Sequence, residues 1–212
     1  MSIVKAVHLH GDSIFDNQPY VEPNEAVVNH LKSISPMSVD LFAVDGHVTV
    51  DVIRDANRKL HTKFGKANAA IVSVGGNDAL GIVDLFLTPV RHVLDTFDLL
   101  QPHLSLFEKN YEKMILKMLE HYNKENLRVC TIYDSIPVKR SAHLTESMLS
   151  GLHLFNSIIT KVADRHQVSV LDLRNVCTED SDYSMKSPIE PSSTGGMKIA
   201  KAIAATFGHP TR

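Results

Sequence analysis

A serine at a strand-to-helix turn is the first feature of this chain that could carry chemistry. Residues 11–17 read GDSIFDN and directly follow an apolar run. Two further fragments occur in order along the chain: Gly46 follows a second apolar run, and GGND at residues 75–78 follows a third. A serine hydroxyl that attacks an acyl carbonyl needs hydrogen-bond donors for the oxygen on which charge develops. The three fragments together predict a serine esterase.

The elements that must position these residues alternate between short apolar strands and longer amphipathic helices. The strands are near-continuous apolar runs, which are typical of strands covered on both faces of a parallel sheet. They are predicted at residues 3–9, 39–44, 69–74, 127–133 and 168–173. Helices are predicted at residues 104–122 and 148–162, and a final helix is expected after Pro191 and Ser193. Residues 78–101 are the least regular stretch and are expected to form a loop or short helices over the sheet edge.

This order predicts a three-layer α/β/α (flavodoxin-like) fold with a central five-stranded parallel sheet, in a single domain that spans residues 1–212. In an open sheet of this kind, ligands bind outside the carboxyl ends of the strands. Ser13, Gly46 and Asn77 each follow a different strand at that end. We therefore expect them to lie close together in space.

Composition excludes several classes of function. The 212 residues carry a net charge of −2 without a block of lysine or arginine, which argues against a nucleic-acid binder. No apolar run approaches the length of a membrane span, and the first residues lack the pattern of a secretory signal. Two cysteines, Cys130 and Cys177, are expected to be buried free thiols in a reducing cytoplasm. The sequence gives no indication of oligomeric state.

The ordered fragments resemble the sequence blocks of the GDSL/SGNH hydrolase family over most of the chain. The resemblance implies that Ser13 attacks the carbonyl of a small-molecule ester or acyl substrate, with no cofactor and no metal. It also implies that the Ser13 N–H, the Gly46 N–H and the Asn77 side chain hold the oxyanion.

The last block of the resemblance departs from the family pattern at both catalytic positions. Pro191 and Ser192 keep the frame, so that Glu190 falls where a histidine is expected and Ser187 where an aspartate is expected. An unshifted glutamate has a pKa of ~4.3 against ~6.5 for imidazole, but burial can raise it. A carboxylate also has no tautomer that a second acid must fix.

Glu190 is therefore open to three interpretations. It could act as the base of a Ser–Glu pair, or it could be a solvated glutamate favoured by the dipole at a helix entry. The same substitutions would also suit a non-catalytic relative that binds an acyl, glycan or protein ligand in the cleft. His47, directly after Gly46, is the best substitute for the base elsewhere in the chain.

Other titratable residues have structural interpretations. His8 and His10 share one face of the first strand, a spacing compatible with metal ligands but more typical of packing residues. Asp12 is expected to cap a helix or hold the turn, and Asp16 and Asp78 are expected to be structural. A metal-dependent phosphoesterase is disfavoured, because GDSIFD is one residue too long for its motif and GGND lacks the histidine that should follow.

Overall fold

A computed structural model describes residues 4–59, 69–135 and 142–209 of the chain. Within these ranges, five strands form one parallel sheet with the order β2-β1-β3-β4-β5. They are β1 (Ala6–Gly11), β2 (Ser38–Leu41), β3 (Ala69–Ser73), β4 (Leu127–Cys130) and β5 (Ser169–Leu171). The prediction of a three-layer fold around a five-stranded parallel sheet is confirmed.

The strand ends differ from the predicted ones where apolar residues continue beyond the hydrogen-bonded ladder. Ile132 and Tyr133 were predicted to belong to β4, but the strand ends at Cys130 and both residues lie in the loop that follows. Their apolar character reflects burial in that loop, where Tyr133 is 2% exposed. The predicted start of β1 at Ile3 lies outside the described residues.

Helices cover both faces of the sheet. They are α1 (Val27–Ile34), α2 (Thr49–Lys59), α3 (Gly76–Leu80), α4 (Val93–Leu119), α5 (Ala142–Arg165) and α6 (Ser193–Thr206). Helices α1 and α6 pack together in the core of one face, and α2, α4 and α5 pack together in the core of the other. The largest buried side chains of the second core include Tyr111, Met114 and Ile159. Burial of these apolar faces is the main favourable contribution to folding.

Helix α4 begins eleven residues before the predicted helix at residues 104–122. Its first turns are largely exposed, with Val93 77% and Leu94 73% accessible, and Pro102 lies inside the helix. Val93, Phe97 and Leu100 lie at helical spacing in the sequence, but Pro102, a residue that normally interrupts a helix, separates them from the predicted stretch. The start is fixed locally, because the carboxylate of Asp95 accepts the N–H of His92 at 2.9 Å. The remainder of the predicted irregular stretch contains α3 and a 3₁₀ helix at Val83–Leu87.

None of the helices in the described ranges combines the length and apolarity needed to cross a lipid bilayer.

Candidate active site

The turn after β1 is shaped by a glycine. Gly11 has φ of +127°, and a Cβ placed on it would lie 1.7 Å from the carbonyl oxygen of Ser73 on β3. Only glycine allows the two strands to stay paired at this point. Asp12 then donates its N–H to the Ser73 oxygen at 3.0 Å, and its carboxylate accepts the N–H of Ile14 at 3.1 Å. These bonds fix the position of Ser13 at the carboxyl edge of the sheet.

The Ser13 hydroxyl meets Glu190, although 177 residues separate them in the chain. Ser13 Oγ donates to Glu190 Oε1 at 2.9 Å, and Glu190 is only 4% exposed. The interpretation of Glu190 as a solvated helix-entry residue was therefore wrong, since the segment before α6 folds back into the sheet edge. Glu190 Oε2 is also buried and has no hydrogen-bond partner within the described ranges.

The surroundings of Glu190 make its carboxyl group unusually basic. Burial raises the pKa of Glu190 to about 7; the hydrogen bond from Ser13 opposes that rise, and the negative charge of Asp45 adds to it. A buried carboxylate is poorly solvated, so the neutral form gains relative to the charged form. The resulting pKa lies in the range that general bases use at neutral pH.

A tight turn presents Glu190 to the serine. Glu190 donates its backbone N–H to the carbonyl of Ser187 at 3.1 Å, and this bond closes the turn. Ser187 is the residue that stands where an aspartate was expected. From the loop after β4, the Tyr133 hydroxyl donates to the carbonyl of Ile189 at 2.7 Å. The turn is thus held from within and from the loop after β4.

Asn17 connects the first and last blocks of the site. It is completely buried, and its amide donates to the Pro191 carbonyl at 3.1 Å. Its side-chain oxygen accepts the N–H of Val27 at the start of α1 at 2.9 Å. The sequence analysis assigned no role to Asn17, and its only signal was its place in the GDSIFDN stretch.

Gly46 and Asn77 follow β2 and β3 at the same edge. Gly46 adopts φ of +82° in the loop after β2, and Asn77 lies in the first turn of α3. Asn77 Nδ2 donates to the carbonyl of His47 at 3.0 Å, which joins the two loops. The second N–H of this amide group remains for another acceptor.

Two aspartates tie the same loops together, as expected of structural residues. Asp78 accepts both the N–H and the hydroxyl of Thr49 at 3.0 Å, and so anchors the first turn of α2. Asp16 accepts the N–H of Asp45 at 3.0 Å, and Asp45 in turn accepts the Tyr20 hydroxyl at 2.9 Å. The loops that carry Ser13, Gly46 and Asn77 are thereby linked by hydrogen bonds.

Asp12 lies buried in the turn beside Ser13. Burial raises the pKa of Asp12 to about 8; its hydrogen bond from Ile14 opposes the rise, and the charge of Glu190 adds to it. Burial therefore favours the protonated form of this carboxyl group. Its role in the turn matches the structural interpretation of the sequence.

The other histidine candidates have partners other than the serine. His47 Nδ1 is 3.9 Å from Asp55 Oδ2. His8 and His10 are buried and share the hydroxyl of Tyr122, at 2.7 and 3.3 Å. Over residues 4–59, 69–135 and 142–209, no group of three or more His, Cys, Asp or Glu side chains is placed to hold a metal ion.

A pocket opens directly beside Ser13 and Glu190. One wall comes from α3 and the following 3₁₀ helix, and the opposite wall comes from α5. Its apolar lining includes Leu80, Val83, Phe86, Met148, Leu152 and Phe155. The sequence showed no groove, because these residues come from segments that only the fold brings together.

Comparison with solved structures shows that the fold is shared with several hydrolases. LAE5, an α/β hydrolase enzyme from the metagenome of Lake Arreo, has a TM-score of 0.70 at 19% identity, with 100% of this chain and 99% of that chain covered. The lipase Lip_vut3 from a goat rumen metagenome has a TM-score of 0.71 at 21% identity, with 97% and 98% covered. A variant of Axe2, an acetyl xylan esterase from Geobacillus stearothermophilus, has a TM-score of 0.65 at 17% identity, with 100% and 99% covered. A search of curated proteins gave no match.

The sequence itself matches a family over most of its length. Residues 9–195 match the GDSL-like Lipase/Acylhydrolase family, and this range includes the turn of Ser13 and the segment of Glu190. The match indicates a hydrolase of the esterase kind. The chain belongs to the GDSL-like lipase/acylhydrolase family.

Proposed function

We propose that this protein hydrolyses carboxylic esters by acyl transfer to Ser13, with Glu190 as the general base. The observation that carries the proposal is the 2.9 Å hydrogen bond from Ser13 Oγ to a buried carboxylate whose pKa is raised to about 7. A base must lie within hydrogen-bond reach of the proton that it removes, and its pKa must suit the working pH. Glu190 meets both conditions.

In this proposal, three donors stabilise the tetrahedral intermediate. The backbone N–H groups of Ser13 and Gly46 donate to no other residue in the described part of the chain. Asn77 keeps one amide N–H beyond the one it donates to His47. A preoriented donor of this kind contributes ~3 kcal/mol to transition-state stabilisation.

The catalytic cycle follows from these groups. Ser13 Oγ attacks the ester carbonyl while its proton passes to Glu190, and the proton then moves to the alkoxide that leaves as an alcohol. Water attacks the acyl-enzyme, gives a proton to Glu190, and the C–O bond to Ser13 breaks. Glu190 returns the proton to Ser13 Oγ, and the carboxylic acid product dissociates. Protons balance over the cycle without a metal or cofactor.

A second candidate function is binding of an acyl, glycan or protein ligand without turnover. The observation in its favour is that Glu190, and not an imidazole, contacts Ser13. The family pattern has a histidine at the position of Glu190. The two functions differ in the reactivity of Ser13, because a fluorophosphonate reacts covalently only with an activated hydroxyl.

The test uses a fluorophosphonate probe and p-nitrophenyl acetate on three proteins. We expect wild type to be labelled and to hydrolyse the ester, and Ser13→Ala to lose both. Ser33→Ala is the matched control, since Ser33 is an exposed serine on α1, and it should behave as wild type. Equal labelling of wild type and Ser13→Ala, or absence of labelling and turnover in wild type, would refute the proposal and favour the binding function.

A further inference from the structure

We propose that the pocket between the 3₁₀ helix at Val83–Leu87 and α5 binds the acyl chain of the ester, and that the contact between Phe86 and Gly151 limits its length. The proposal rests on the proposed function, because the reacting carbonyl must lie at Ser13. It adds the substrate class: esters of apolar acids longer than acetate and shorter than a limit set by Phe86.

The walls of the pocket are largely apolar, as the binding of an alkyl chain requires. The side chains of Leu80 and Val83 form one wall, and those of Met148, Leu152 and Phe155 form the other. The ring of Phe155 is fixed in place by Phe107, whose centroid lies 4.8 Å away. Each methylene group transferred from water to such surroundings contributes a factor of about four in affinity.

Three hydroxyl groups of the lining already donate hydrogen bonds within the protein. The hydroxyl of Thr131 donates to Asp172 at 2.8 Å, that of Tyr133 donates to the Ile189 carbonyl at 2.7 Å, and that of Ser135 donates to the carbonyl of Pro188. Because these donors are already used, they offer little to the hydroxyl groups of a sugar. Polar recognition is concentrated at Ser13, Glu190 and Asn77, where the ester group would lie.

Phe86 and Gly151 close the pocket from opposite walls. A Cβ placed on Gly151 would lie 2.5 Å from Cε1 and Cζ of the Phe86 ring. The ring therefore rests directly on the backbone of α5, where any larger residue would have to displace it. Since Phe86 belongs to one wall and Gly151 to the other, an acyl chain that reaches the ring can go no further without moving it.

The experiment compares p-nitrophenyl esters from acetate to dodecanoate. In wild type, we expect kcat/KM to rise ~15-fold from acetate to butyrate, which is two methylene groups, then to pass through a maximum and fall by dodecanoate. Phe86→Ala should move the maximum to longer chains. Leu152→Phe should reduce the octanoate-to-acetate ratio at least ~10-fold, because the larger ring fills the pocket.

Leu87→Ala is the matched control, since Leu87 follows Phe86 in the same 3₁₀ helix but is 55% exposed and outside the pocket lining. Its chain-length profile should equal that of wild type. A profile that falls steadily from acetate, or a Phe86→Ala profile identical to that of wild type, would overturn the inference while leaving the esterase function intact.

Binding without turnover separates this inference from the proposed function. Ser13→Ala should bind methyl octanoate in ligand-observed NMR at concentrations where methyl acetate does not bind, and Leu152→Phe introduced into Ser13→Ala should weaken that binding. If wild type has no esterase activity, this binding pattern would retain the acyl pocket and refute only the proposed hydrolysis. Equal signals for the two methyl esters would refute the pocket.

Discussion

Replacement of Glu190 by glutamine should destroy activity and at the same time stabilise the folded protein at alkaline pH. The amide keeps the shape of the side chain but cannot accept the proton of Ser13. General-base catalysis contributes about 10²–10⁴-fold, so we expect kcat/KM to fall about 10³-fold. In wild type, kcat/KM should rise along an acid limb with an apparent pKa near 7, as Glu190 loses its proton.

The effect on stability follows from the same pKa. In the unfolded chain Glu190 loses its proton near its ordinary value of 4.5, whereas in the folded protein it does so at about 7. Between these values the folded state holds the additional proton, so the free energy of unfolding decreases as the pH rises. The full shift corresponds to about 3 kcal/mol above pH 7. Glutamine does not ionise, so the Glu190→Gln variant lacks this contribution to the free energy of unfolding.

Urea denaturation at pH 5 and pH 8 measures this effect. The difference in free energy of unfolding, Glu190→Gln minus wild type, should become more positive by about 2 kcal/mol from pH 5 to pH 8. Glu125→Gln makes the same chemical change at an exposed position, and its difference should stay within about 0.5 kcal/mol. A Glu190→Gln difference that is independent of pH would refute the burial of an ionisable base, even if activity were lost.

Three further substitutions test the surroundings of the serine. Asn77→Ala should lower kcat about 10²–10³-fold with little change in KM, measured by steady-state kinetics, because it removes an oxyanion donor. Asp45→Asn should move the acid limb of the pH–rate profile to lower pH, and less so in high salt, because the charge of Asp45 raises the pKa of Glu190. Asn17→Ala should lower the free energy of unfolding by ~3 kcal/mol in urea, since it leaves a buried carbonyl and a buried N–H unpaired, whereas Asn123→Ala on the surface should not.

The sequence determined the architecture because its signals are local. Near-continuous apolar runs separated by amphipathic helices are sufficient to predict a parallel sheet covered on both faces, and the structure has that sheet. The same order places Ser13, Gly46 and Asn77 at strand ends, since their positions depend only on where each strand stops. The start of α4 was missed because Pro102 normally interrupts a helix, and only the fold shows that the helix continues through it.

Only the tertiary structure decided the state of Glu190. Its pKa depends on burial and on the contact with Ser13, 177 residues away, and neither can be obtained from the residues next to it in the chain. The apolar pocket likewise joins side chains of α3, the 3₁₀ helix and α5, whose spacing along the sequence shows no common pattern. Desolvation and packing are properties of three-dimensional neighbours, so the reactivity of this site is set by the fold and not by any one segment.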